Sequence, residues 1–400
     1  MFRLALIFII LLMDIIGLLV LSPVSPFLVR QYSDQALAVT MIVVIYAAAQ
    51  FFAVPLMGKL GDRYGRRPVL LISLVGQGAG YALFGIGGGL WVLFLARFIG
   101  GVTGGNMSTA AAYIADISKP EERTKNFTLI GIAWSMGLIL GPALGAVLGQ
   151  LSLSAPAFTA AGLSFLNVIL GYFILPESLP KEHRDATPLR LKDFNPIVTI
   201  FEMAVKPGLG GLLLVLGLFN FAFNGISSTS SLFMIEKFSA DPSQVGSLMM
   251  VAGGSLAVVQ FLLVQRVVRR FGEKKVAIAS LSMLGLGELA IFFTPFFWLI
   301  YPVNMLVTAV SGFTFPTLTT LSTNQVQHRE VGRLMGVTTA IGSLMNILGP
   351  LAAGVVYDRV MMGAPYWIGA GILLLAALLL RLQPGITPKP GREAAQTIYD

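Results

Sequence analysis

Apolar residues run along this chain in stretches of about twenty, separated by short polar segments, with no sustained two-residue alternation. The stretches predict helices over 3–26, 37–58, 69–88, 90–115, 127–149, 156–175, 208–234, 243–265, 275–294, 297–320, 332–355 and 365–383. About twenty such residues are what ~30 Å of hydrocarbon asks of a helix. In lipid every backbone polar group must be satisfied internally, which leaves helices or a closed barrel. Barrel strands are runs of about ten residues alternating in character, unlike these. The pattern therefore predicts an all-α membrane protein of twelve spans. The first stretch is long, holds Asp14 and lacks a small-residue cleavage site, so it reads as a retained helix.

Charge orients the spans. Of 27 Lys and Arg, Arg30, Lys237 and Arg359 lie in one set of alternate loops and Arg97 lies inside a span; the other 23 fall on the opposite side. Basic loops stay in the cytoplasm, so both termini are expected there. The longest polar stretch, 176–207, predicts a cytoplasmic linker between bundles at 1–175 and 208–383, with 384–400 as a tail. The bundles repeat. Gly141-Pro142 returns as Gly349-Pro350, 208 residues on, and Tyr64-Gly65-Arg66-Arg67 returns loosely as Phe271-Gly272-Glu273-Lys274, 207 residues on. Six spans per copy make the repeat parallel, as in secondary transporters that work around a midplane cavity.

Composition narrows the chemistry. With 56% hydrophobic and 12% charged residues the chain is far from a soluble average. It has no cysteine, and its two histidines, His183 and His328, fall in predicted loops, so a histidine- or cysteine-built metal centre is not expected. The net charge of +8 flanks spans, which reads as orientation and headgroup contact rather than nucleic-acid binding. No phosphate-cradling G-x-x-x-x-G-K-[ST] loop and no catalytic constellation is present. No cofactor and no enzyme activity are expected.

The most informative segment is Gly58-Lys59-Leu60-Gly61-Asp62-Arg63-Tyr64-Gly65-Arg66-Arg67. Gly58 would permit close helix approach. Asp62 would suit a neighbouring helix N-terminus, where the dipole favours an anion. The arginines alone would serve topology, but the glycines and the acid ask for more. The segment matches the G-x-L-x-D-R-x-G-R-R signature of the major facilitator superfamily at every position. The resemblance implies the major facilitator fold, two pseudo-symmetric six-helix bundles, and a cytoplasmic gate formed by Gly58, Asp62, Arg63, Gly65, Arg66 and Arg67. Gly137, Gly141, Pro142 and Gly145 in span five resemble the motif of the superfamily's antiporter branches; a kinked helix with a small-residue face is the plainer alternative. Asp14-Ile15-Ile16-Gly17, Tyr46-x-x-x-Gln50-Phe51 and Leu95-Ala96-Arg97-Phe98-Ile99-Gly100-Gly101 are similar to the tetracycline efflux branch.

Three charges lie inside spans: Asp14, Arg97 and Glu288. Ionised groups cost at least a few kcal/mol in hydrocarbon, so they usually face a cavity. Asp14 is the expected proton carrier, with Arg97 as its counter-charge; a static ion pair is the alternative. Glu288 is either a cavity acid or a residue at the lipid edge. The efflux resemblance implies acids where this chain has Gly80 and Leu284, with Glu288 one turn beyond the latter, which puts tetracycline itself in doubt. Polar stripes Asn220, Asn224, Ser227; Asn304, Thr308; and Ser343, Asn346 occupy single helix faces. With Gln50, Phe223 and Phe313 they are expected to line a substrate cavity; interhelical hydrogen bonding would produce the same stripes.

The expected function is proton-coupled export of small amphipathic or lipophilic molecules by alternating access. The partners are a small-molecule substrate, protons and the lipid bilayer, with no nucleic acid, and a monomer is expected in a bacterial inner membrane. A metabolite or sugar uniporter or symporter, or a non-transporting receptor or scaffold on the same fold, are the alternatives.

Overall fold

In a computed structural model the described residues are 2–119, 122–184, 196–206, 208–327 and 330–383. Among them, twelve long helices are apolar enough to cross a membrane. They are α1 Phe2–Val20, α2 Ala36–Tyr64, α3 Arg66–Ile86, α4 Leu90–Ile117, α5 Arg123–Leu151, α6 Ala155–Phe173, α7 Leu209–Phe238, α8 Pro242–Phe271, α9 Glu273–Phe293, α10 Phe297–Thr323, α11 Val331–Arg359 and α12 Ala364–Leu382. Short helices Ser25–Arg30 and Pro196–Ala204 flank them. Phe52, Trp91, Phe173 and Phe293 are mostly exposed. In water such a surface would be a liability; on a spanning helix it is the face turned to lipid. The tail 384–400, part of the linker, and His328 lie outside the described residues.

The residues form two compact units. One holds 1–194, 225–254 and 346–365; the other holds 195–224, 255–345 and 366–400. The expected division at 176–207 differs from this grouping, because parts of α7, α8 and α11 belong with the first unit. Glycine explains the grouping. A Cβ on Gly246 would fall 2.5 Å from that of Ala146 and 2.8 Å from the Pro142 carbonyl, and one on Gly253 would fall 2.7 Å from the Leu138 carbonyl. Backbones this close leave room for hydrogen only, which is how membrane helices associate without a hydrophobic effect to drive them.

Within the first unit, α1 lies on α5 through Gly137, Gly141 and Gly145, which abut Ile15, Leu19 and Val20. The expected small-residue face of span five thus packs on the helix that carries Asp14. Leu6, Ile7, Ile10, Leu11, Leu70, Leu74, Tyr113 and Ile114 form the apolar core around it.

The second unit is held by similar devices. Gly287 of α9 faces Val307 of α10, and Gly285 faces the Ala370 carbonyl of α12. The Thr314 hydroxyl donates to Ser280 Oγ at 3.0 Å, a buried bond between α9 and α10. Residues Val259–Leu263 of α8 form a π turn, and a Cβ on Gly312 of α10 would fall 3.1 Å from the Val259 side chain there.

Candidate functional site

The span expected to run unbroken over 90–115 is interrupted. It consists of Leu90–Val102 and Asn106–Ile117. Between them Gly104 N–H donates to the Gly101 carbonyl and Gly105 N–H to that of Thr103. The Thr103 hydroxyl donates to the Ile99 carbonyl at 2.8 Å, and Gln50 Nε2 of α2 donates to the Gly104 carbonyl at 2.9 Å. Glycine is required here. A Cβ on Gly101 would sit 2.6 Å from the Tyr46 carbonyl, and one on Gly105 would sit 2.6 Å from Met57 Cβ. Unwound backbone at membrane depth survives where protein or a water-filled cavity satisfies it.

Asp14 meets this break. Asn106, the first residue of the second half-helix, donates Nδ2 to Asp14 Oδ1 at 3.0 Å. Both side chains are buried. Asn167 of α6 donates to the Ile10 carbonyl at 3.0 Å, one turn before Asp14, and so fixes α1 in place. Arg97 is also buried, and its guanidinium lies over the Phe84 ring at 4.5 Å. It forms no ion pair with Asp14. A cavity of about 10 Å³ is lined by Tyr46, Tyr81, Phe84 and Arg97, room for one water molecule. Among the described residues, Arg97 Nε, Tyr81 Oη and Asn106 Oδ1 have no hydrogen-bond partner. Buried polar groups without partners are costly. Gly80 lies beside it, and a Cβ there would be 2.9 Å from the Ala96 carbonyl and 3.2 Å from Gly100 N.

At the basic end of the helices the signature segment forms a second constellation. Arg66 pairs with Asp62 at 2.5 Å and with Asp116 at 3.2 Å. Gly61 makes room for it, since a Cβ there would stand 3.0 Å from Arg66 Nη1. Gly58 has open space beside it rather than the close helix expected, and its carbonyl accepts from Arg66 Nη1 at 3.4 Å. Asp62 serves Arg66 of the next helix. The carboxylate that caps a helix N-terminus here is Glu177, which accepts from the backbone N–H of Arg66 at 2.9 Å and of Arg67 at 3.3 Å. Ser178 Oγ donates to Asp116 at 3.0 Å, and Arg67 donates to the Gly171 and Tyr172 carbonyls. Gly65, with φ 106°, crosses between α2 and α3 in a conformation other residues avoid. Arg63 stacks on Tyr64.

In the second unit Glu288 is buried, and its Oε2 has no hydrogen-bond partner among the described residues. That places it inside the helices rather than at the lipid edge. Leu284, one turn earlier, is buried apolar core. Of the cavity candidates, Asn220 and Asn224 donate to the carbonyls four residues back on their own helix, and Thr308 does the same to Asn304. Phe223 stacks on Phe219 at 5.6 Å and is partly exposed. Phe313 and Ser343 are half-buried in the same unit, while Gln50, Ser227 and Asn346 belong to the first.

The family model described as Major Facilitator Superfamily matches residues 7–237 and 212–397. The chain belongs to the major facilitator superfamily. Tetracycline resistance protein, class C, of Escherichia coli is 33% identical over 94% of this chain and 93% of its own length. The class E protein of Escherichia coli is 32% identical over 94% of each. The crystal structure of the human organic anion transporter MFSD10 has 25% identity and a TM-score of 0.69, covering 94% of this chain and 98% of its own. This superfamily member is a transporter and not an enzyme. Its fold is the major facilitator fold.

Asn106, Glu177 and Asp116 stand in these constellations although none of the motifs above includes them. The signal for Asn106 was Thr103-Gly104-Gly105, a helix-breaking run within an otherwise apolar span. Glu177 sits in a polar segment where any acid looks like solvent-exposed charge.

Proposed function

We propose that this transporter exports small amphipathic or lipophilic molecules in exchange for protons, with Asp14 as the group that carries the proton. The observation that supports this most directly is the Asp14 carboxylate, buried on α1 and held by Asn106 at the break in α4. A carboxylate in such a place is costly to leave ionised, so its protonation is tied to how the surrounding helices are arranged. Arg97 offers a compensating charge when the proton has left. The basic loops face the cytoplasm of a bacterial inner membrane, both termini lie there, and the two six-helix halves alternate access as a monomer. The Arg66–Asp62–Asp116–Glu177 constellation then closes the cytoplasmic side. The similarity to tetracycline resistance proteins supports export, while Gly80 and Leu284 argue against carrying tetracycline by the same acids.

The test is uphill transport in proteoliposomes under a pH gradient, with internal pH recorded alongside a panel of lipophilic dyes. Asp14→Asn, a permanent mimic of the protonated acid, is expected to keep downhill exchange and lose proton-driven accumulation. Normal uphill pumping by this variant would move the proton path elsewhere, with Glu288 next.

One observation favours a second reading, export of organic anions. Arg97 is buried, and among the described residues it forms no ion pair, which leaves a place for an acidic group on the substrate. Faster movement of an anionic dye than of its uncharged ester would support it, and the reverse order would discard it.

A further inference from the structure

At the end of the helices away from the basic loops, the first unit contains a polar network that none of the superfamily motifs discussed above includes. The N-terminus of α2 has no cap of its own, since Gln35 makes no side-chain bond to it. Asp358, near the end of α11, supplies one across 322 residues of chain. Its Oδ1 accepts from Ala36 N–H at 2.7 Å and its Oδ2 from Leu37 N–H at 2.9 Å. Both bonds are charge-assisted and lie where the helix dipole favours an anion.

A second contact stands beside the first. Arg30, last residue of the short helix before α2, is ion-paired to Glu236 of α7. The Tyr357 hydroxyl, next to Asp358 on α11, donates to the other oxygen of Glu236 at 2.6 Å. Beneath these bonds the backbones touch. A Cβ on Gly354 would collide with Thr40 and fall 3.0 Å from Leu37 Cα, and one on Gly149 of α5 would fall 3.2 Å from Pro242 Cβ. Thr40 is fully buried under this layer. All of the polar partners lie at helix ends, where they can separate without breaking any helix.

We infer that Asp358 and the Arg30–Glu236–Tyr357 bridge form a releasable latch that holds the transporter closed at its extracellular end. The inference rests on the alternating-access reading and on the orientation proposed above. Each bond joins a helix of the first sequence half, α2 or the segment leading to it, to α7 or α11 of the second. Substrate cannot leave on that side until they part. Two carboxylates bind backbone amides and an arginine in half-exposed positions, so the latch is strong enough to set a resting state yet open to water.

The absence of native cysteine makes the test direct. Thr40→Cys places a thiol of similar size under the latch, and a membrane-impermeant maleimide reports how often it is uncovered in intact cells. Asp358→Ala and, separately, Glu236→Gln are each expected to raise the labelling rate at position 40 by about fivefold or more, the effect of losing one cap or one charge-assisted bond. The double exchange Arg30→Glu with Glu236→Arg is expected to return it toward the parent rate. Unchanged labelling in both single variants would overturn the latch. If Asp358→Ala fails to accumulate, Asp358→Asn removes the charge and keeps an acceptor, and should give a smaller rise. Asp34→Cys, on the exposed loop, reports orientation separately. If it labels only after permeabilisation, the orientation is wrong, and the same comparison run in inverted vesicles decides the latch. Increased labelling in a protein that moves no substrate would sink the transport reading while the latch stands.

Discussion

Replacing Gly80 by alanine tests whether the α3–α4 contact, rather than charge, dictates what this position can hold. The added Cβ would stand 2.9 Å from the Ala96 carbonyl, 3.2 Å from Gly100 N and 3.4 Å from Gly100 Cα. All three are backbone atoms, so no side chain can rotate away and α4 itself must move by a few tenths of an ångström. Overpacking of this kind costs about 1–3 kcal/mol. Alanine's higher helix propensity returns up to about 1 kcal/mol. Gly162→Ala in α6 is the matched control, because a Cβ there meets nothing within 4 Å; it should gain the propensity without the clash. The expected separation between the two variants is then about 1–3 kcal/mol. In thermal denaturation of the detergent-purified protein this is a midpoint lower for Gly80→Ala than for Gly162→Ala by a few degrees, at roughly 2 °C per kcal/mol or less for a chain this long. Transport should fall as well, since Ala96 and Gly100 flank Arg97. Equal midpoints, or a Gly80→Ala protein more stable than the control, would refute the reasoning. They would also reopen the question of why no acid stands there.

Three further outcomes are expected. Glu177→Ala removes two backbone caps from α3 and should cost about 1 kcal/mol of stability, measured by denaturation midpoint, while Glu177→Gln recovers part of it. Asp62→Asn, or a bulky residue at Gly65, should slow transport with membrane insertion intact, read as efflux rate per inserted protein; wild-type rates would remove the gate from these residues. Glu288→Gln should change the preference among cationic substrates while uncharged ones still drive proton exchange, followed in the same proteoliposomes; loss of coupling for every substrate would instead promote Glu288 to proton carrier.

The spans were legible because lipid imposes one simple demand, length and apolarity, that twenty-residue windows report well. The signature segment was legible because its glycines and charges are fixed in spacing. What composition could not show is hydrogen-bond connectivity. Thr103-Gly104-Gly105 is less apolar than its neighbours but only three residues long, so a twenty-residue window averages it away and predicts continuous helix through the break in α4, and Asn106 reads as one more polar residue. Asn220 and Asn224 share a face as expected, yet their amides donate to their own helix at four residues' distance, a local choice that periodicity does not reveal. Glu177 was hidden for a different reason. Its partners are backbone N–H groups 110 residues earlier in the chain, which carry no side-chain signal.

The single-residue connection between α2 and α3 has a mechanical consequence. Tyr64 ends one helix and Arg66 begins the next, with only Gly65 between them, so the joint has no slack to absorb displacement. A tilt of α2 at its far end becomes a tilt of α3 at once, as through a crank. The same construction recurs at Gly272 between α8 and α9. There the parallel ends. A side chain at Gly65 would collide with Glu177, whereas one at Gly272 would meet open space. Side-chain bulk would therefore obstruct the first joint by collision and the second only through its left-handed backbone conformation.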